Sequence, residues 1–127
     1  MTGDGHVLEL AERAAEAVRE LNHLTRDPRV FAGPAELYRL VGEFAVLAGG
    51  LPQLLGQLGR WLQTEHDAGR VRADTGTEAG RIVAAAGADL ADARDAAHEL
   101  AHVLDAALQH LAHLGATEPD HAISKRG

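Results

Sequence analysis

Along three stretches of the chain, apolar residues recur at alternating spacings of three and four, with polar residues between them. That rhythm marks helices that pack through one stripe. In the first stretch, from about Asp4 to Leu24, the stripe is Val7, Leu10, Ala14, Ala17, Leu21 and Leu24. Glu9, Glu12, Glu16 and Glu20 lie off it, with Arg13 and Arg19 as intrahelical partners. Asp4 can cap the start, and "TRDPR" at 25–29 supplies the stop, because proline cannot continue a helix.

The second stretch opens at "GPAELYRL", with Pro34 in the first helical turn after Gly33. Its stripe holds Leu37, Val41, Phe44, Ala48, Leu51, Leu55, Leu58 and Leu62, and stays in phase through "AGGLP". Gly49, Gly50 and Pro52 weaken or kink a helix, yet a loop there would usually reset the phase. The spacing predicts one kinked helix from 34 to about 66; the alternative is a break at Gly49–Pro52 and a four-helix bundle. A second stripe, Leu40, Leu47, Leu54 and Trp61, runs beside the first at seven-residue spacing. An apolar face that wide suits a helix with two neighbours.

"HDAGRVRADTGTEAG" is a polar, glycine-bearing connection in which Thr75 and Glu78 form a T-x-x-E capping box, so a third helix should start near Gly76. It should run to Leu114 and end at Gly115 as a left-handed cap. Its stripe is Val83, Ala86, Leu90, Ala93, Ala97, Leu100, Leu104, Ala107, Leu111 and Leu114. The alanines allow helix axes to approach at the short end of the roughly 8–10 Å range.

The expected fold is all-α, an antiparallel helical bundle of three helices with the second kinked. The second pairs with the third, and the first packs on that hairpin. At about 32 Å, against about 50 and 57 Å for the others, the first reaches only the half near residues 34–50 and 98–115. Residues 1–115 form a single domain, and the small, polar, proline-containing stretch 116–127 is expected to be a flexible tail.

Composition narrows the function classes. A chain of 127 residues suits one domain, and 3% aromatic content favours close-packed helices over a β core. With no cysteine, neither a disulfide framework nor a thiolate zinc site is available. No apolar run reaches the roughly 18 residues of a membrane span, and "MTGDGHVLEL" lacks the features of a signal peptide, so a cytoplasmic location is expected. The net charge of −7 is concentrated in residues 73–115, which carry 7 acidic and 2 basic side chains. Such a surface repels phosphate, so nucleic acid is not an expected partner. Arg70, Arg72 and Arg81 form the only basic cluster.

One short motif carries candidate chemistry. His98-Glu99-Leu100-Ala101-His102 matches H-E-x-x-H, in which two imidazoles one helical turn apart hold zinc and the glutamate polarises a bound water. With Ala97 and Leu104 on the packing stripe, however, His98, Glu99 and His102 fall on the outward side. His113 shares their side but lies about 16 Å further along the axis, too far to join His102 on one ion. The expectation is a solvated helix face, with no catalytic residue, cofactor or metal. A zinc-dependent hydrolase built on His98, Glu99 and His102 is the alternative. Asp89, Asp92 and Asp95 read as the same solvated face, and no phosphate-loop, nucleophile-elbow or dinucleotide motif is present. A second alternative is a small-ligand pocket opened by the kink at Gly49–Pro52.

The stretches "ELNHLTRDP", "PAELYRLVGEFAVLAGGLPQLLGQLGRWL" and "LQHLAHLG" resemble short, alanine-rich helical proteins common in actinobacterial genomes, plasmids and integrative elements. The resemblance covers most of the chain to Gly115 and implies a helical fold; it carries over no functional residue. Small secreted hairpins with a W-x-G turn do not match, because no glycine follows Trp61 two residues later.

The reading that follows is a non-enzymatic helical interaction or scaffold protein. It is expected to form a two-fold, antiparallel homodimer through Leu54, Leu58 and Trp61, which lie beyond the reach of the first helix. Its acidic outer face suits an unidentified protein partner with basic character.

Overall fold

The computed structural model describes residues 4–74 and 78–117. They form three α-helices, α1 (Asp4–Leu24), α2 (Pro34–Asp67) and α3 (Ala79–Leu111), and no strand. The all-α class and the three-helix count are those the periodicity predicts. None of these helices is long and apolar enough to cross a membrane.

α2 and α3 lie antiparallel and flush at both ends. A Cβ built on Gly33 would meet Ala116 Cβ at 3.8 Å, and one on Gly80 would meet His66 Nε2 at 3.5 Å. Between these ends Gly42 faces Leu108 and Gly56 faces the Arg94 side chain. Residue numbers across the pair therefore sum to about 150 throughout. No ion pair or side-chain hydrogen bond among the described residues spans the two helices; each joins near neighbours in sequence. Shape alone sets the register.

The covered side of each helix follows its predicted stripe: Leu37, Val41, Phe44, Ala48, Leu51, Leu55 and Leu62 of α2 and Val83, Ala86, Leu90, Ala97, Leu104, Ala107 and Leu111 of α3 are at least partly covered, whereas Leu58, Ala93, Leu100 and Leu114 are exposed. On α2 the covered positions include Gly42, Ala45, Ala48, Pro52, Gly56 and Gly59, with Ala48 only 1% exposed. On α3 they include Gly87, Ala91, Ala97 and Ala101. Small residues thus share the contact with the larger ones of each stripe. Small side chains let two backbones approach closely, and close approach maximises dispersion contacts along some 50 Å of helix.

α2 passes through Gly49, Gly50 and Pro52 without a break, which excludes the four-helix alternative. Pro52 has no N–H to donate to the carbonyl four residues back, a loss that normally disrupts a helix. Ala48 and Pro52 are both buried, and α3 is the only helix in contact with α2, so packing offsets that loss.

The helix ends differ in detail from expectation. α2 closes with Gly69 at φ +75°, its N–H on His66 O at 2.9 Å and the Arg70 N–H on Glu65 O at 2.9 Å, the paired bonds of a Schellman cap. The Arg70 guanidinium then grips both Glu65 carboxylate oxygens, at 2.8 and 3.0 Å. α3 starts at Ala79 rather than near Gly76, and Glu78 caps it without a side-chain hydrogen bond. Thr75, the other half of the expected capping box, lies outside the described residues, as does the expected flexible tail from residue 118. α3 stops at Leu111, not Leu114, and tightens into i→i+3 bonds from His113 to His110 and Leu114 to Leu111. Gly115 is not left-handed; among the described residues Gly69 alone has positive φ.

These glycines predict opposite effects of one substitution. Gly69→Ala should cost about 1–2 kcal/mol, because a Cβ is disfavoured in the left-handed region. Gly50→Ala, with nothing within 4 Å of the new Cβ, should stabilise α2 by about 0.5–1 kcal/mol. Urea unfolding of both variants at one protein concentration checks the pair of signs.

α1 departs most from expectation. Among the described residues only α2 and α3 are in helix–helix contact, so α1 does not pack on the hairpin. Thr25 ends it by donating its N–H and hydroxyl to Leu21 O at 2.9 and 2.7 Å. Asp27 Oδ1 then accepts the Arg29 N–H at 2.9 Å across Pro28, and Glu36 reaches back from α2 to accept the Ala32 N–H at 2.8 Å. The link is an ordered run of local turns that holds α1 away from α2.

Candidate interaction surface

Some of the large residues of α2 and α3 stay outside their contact. Two antiparallel helices are related by a two-fold axis normal to the plane containing both, so equivalent positions open on the same side of the pair. The seven-residue stripe of α2 and the matching positions of α3 therefore form one face. Leu47 stands opposite Val103, Leu51 opposite Leu100, and Leu54 opposite Ala96. Leu47, Leu54, Leu58, Leu100 and Val103 are each roughly half exposed, and Trp61 is 62% exposed. A contiguous apolar surface carrying a tryptophan is the usual mark of an association site.

α1 presents a second one. Every residue from Gly5 to Leu24 except Leu21 is exposed, Val7 by 63%. The total accessible surface is 9917 Å², whereas a compact monomer of 13.4 kDa exposes about 6,500 Å². Even with each undescribed residue assigned the roughly 150 Å² of an extended chain, an excess of about 1,000 Å² remains. A standard protein–protein interface covers about 800 Å² per partner. The excess is larger than one partner's share of such an interface.

The histidine motif sits elsewhere. His98, Glu99 and His102 are all exposed on the polar side of α3, among Asp92, Asp95 and Asp105. Among the described residues no three potential ligands come together. An i, i+4 imidazole pair on an open helix has no wall to exclude water and no third donor to fix a metal. We expect no stoichiometric zinc after dialysis, measured by atomic absorption, and no hydrolysis that Glu99→Gln abolishes. One tightly held zinc per chain would overturn the non-enzymatic reading.

At Gly49–Pro52, Ala48 and Pro52 are buried against α3, and Gly49 and Gly50 face open space. A hollow of about 200 Å³ lies at the closed end of the hairpin, between Leu62, Val71, Ala73, Ala79, Ile82 and Ala86. It continues the large-residue face rather than forming a separate site. Nearby, the Arg70 guanidinium holds the Glu65 carboxyl below its usual range, first through their hydrogen bonds and then through charge. That clamp contributes at neutral pH and is lost as pH falls through the carboxylate range. It shapes the cap and has no role on the apolar face.

No family model, curated protein or solved structure matches the chain.

Proposed function

We propose that the protein is a non-enzymatic helical interaction module that self-associates through the face carrying Leu54, Leu58 and Trp61. The observation that carries this reading is the uncovered large-residue face of the α2–α3 hairpin, with Trp61 among its most exposed side chains. On the opposite side of α3, Asp92, Asp95, Glu99 and Asp105 are exposed and form an acidic surface that suits a basic protein segment. Sedimentation equilibrium of the wild-type chain at micromolar concentration tests the reading. A homodimer is expected; a monomer would refute it.

A further inference from the structure

Among the described residues two apolar surfaces lack a partner, one on α1 and one on the hairpin, and α1 makes no helix–helix contact with α2 or α3. Their dimensions match. The α1 stripe from Val7 to Leu24 extends about 26 Å, and the hairpin face from Leu47 to Trp61 extends about 21 Å. α1 is apolar beyond its stripe as well, with Leu8, Ala11 and Val18 widening it. That width fits a helix seated on two neighbours at once, in the groove between α2 and α3, rather than on one.

Its own hairpin is not the seat the structure gives it. The linker 25–33 is built of local hydrogen bonds on both sides of Pro28, and it leaves α1 standing clear. We infer that α1 docks on the large-residue face of a second copy, and that the second copy returns its own α1. Each hairpin then acquires its third helix from its partner. The exchange is reciprocal and closes at two chains, the symmetry of most homo-oligomers. It accounts for both bare surfaces of one chain with a single occupant, and the excess of about 1,000 Å² exceeds the roughly 800 Å² per partner that a stable dimer needs. This inference rests on the self-association proposed above and specifies what covers the face.

The test uses the full-length chain in two isotopic forms. An equal mixture of ¹³C,¹⁵N-labelled and unlabelled protein is examined by isotope-filtered nuclear Overhauser spectroscopy, with the Trp61 indole, the only one in the chain, as reporter. The expected result is contact between Trp61 of one chain and α1 methyl groups of the other, from Val7, Leu10, Val18 or Leu21. Intermolecular contacts confined to hairpin residues would overturn the exchange and leave the dimer standing. Trp61–α1 contacts within one chain alone would overturn it as well, in favour of a folded-back helix. A second measurement needs no spectra: Leu10→Glu with Leu21→Glu should weaken dimerisation at least tenfold by sedimentation. Both positions are remote from the α2–α3 contact, so the hairpin's helicity should persist by circular dichroism. An unchanged dimer would remove α1 from the interface, whereas a monomeric wild type would refute the parent reading itself.

Discussion

Replacing Trp61 with alanine is expected to weaken self-association about thirtyfold or more, equivalent to roughly 2 kcal/mol. Three properties place Trp61 among the residues that dominate interfaces. Its ring is the largest apolar surface on the hairpin face, it is held on a helix, and Leu54 and Leu58 flank it one and two turns away. Truncation removes the area that association would bury and leaves a hollow in its place. The effect should fall on association alone, because the exposed Trp61 lies outside the contact joining α2 to α3. Sedimentation equilibrium of both proteins across the micromolar range measures it, and Trp61→Phe should recover most of the loss. A wild-type monomer whose indole is shielded from quenchers would refute the proposed interface.

The second large effect is on stability. The fully covered side chains are small: Ala48, Pro52, Val83 and Ala97. Among the described residues no large side chain is completely buried within one chain. A hairpin built this way derives little of its free energy from a hydrophobic core of its own, so folding and association should be linked. A hundredfold rise in protein concentration should then stabilise the assembly by about 2.7 kcal/mol per dimer. The thermal midpoint should rise by about 5 °C between 1 and 100 μM, as orders of magnitude. Calorimetry over that range is the measurement. A midpoint independent of concentration would show that a single chain is stable alone.

Much of the architecture was legible because helical phase is written locally. Leu37 to Leu62 kept one rhythm across Gly49 and Pro52, and α2 is one helix. Phase also placed His98 and His102 outward, where the structure has them. The stripe from Leu37 to Leu62 is also the covered side of α2, with Leu58 its one exposed member. What escaped the periodicity was the part played beside it by Gly42, Ala45 and Gly56, which are covered yet leave almost no hydrophobic signal. The position of α1 was illegible for a different reason. Its stripe shows that it must pack but not on what, since docking in one chain and docking between chains bury the same residues. The α3 boundaries were misjudged by a few residues at each end, where weak local preferences compete.

The uneven distribution of helix breakers between α2 and α3 bears on the order of assembly. α2 carries Gly42, Gly49, Gly50, Gly56, Gly59 and Pro52. Together they cost it about 8 kcal/mol of intrinsic helicity relative to alanine. α3 has Gly80 and Gly87 and no proline. α3 can therefore form early and serve as the template on which α2 winds, residue by residue along their contact. The same asymmetry operates in reverse. When the assembly loosens, α2 should unwind first around Gly49–Pro52 while α3 keeps its turns, so its backbone amides should be the first of the hairpin to exchange with solvent. Any process that peels the pair apart would start at the middle of α2, not at its ends.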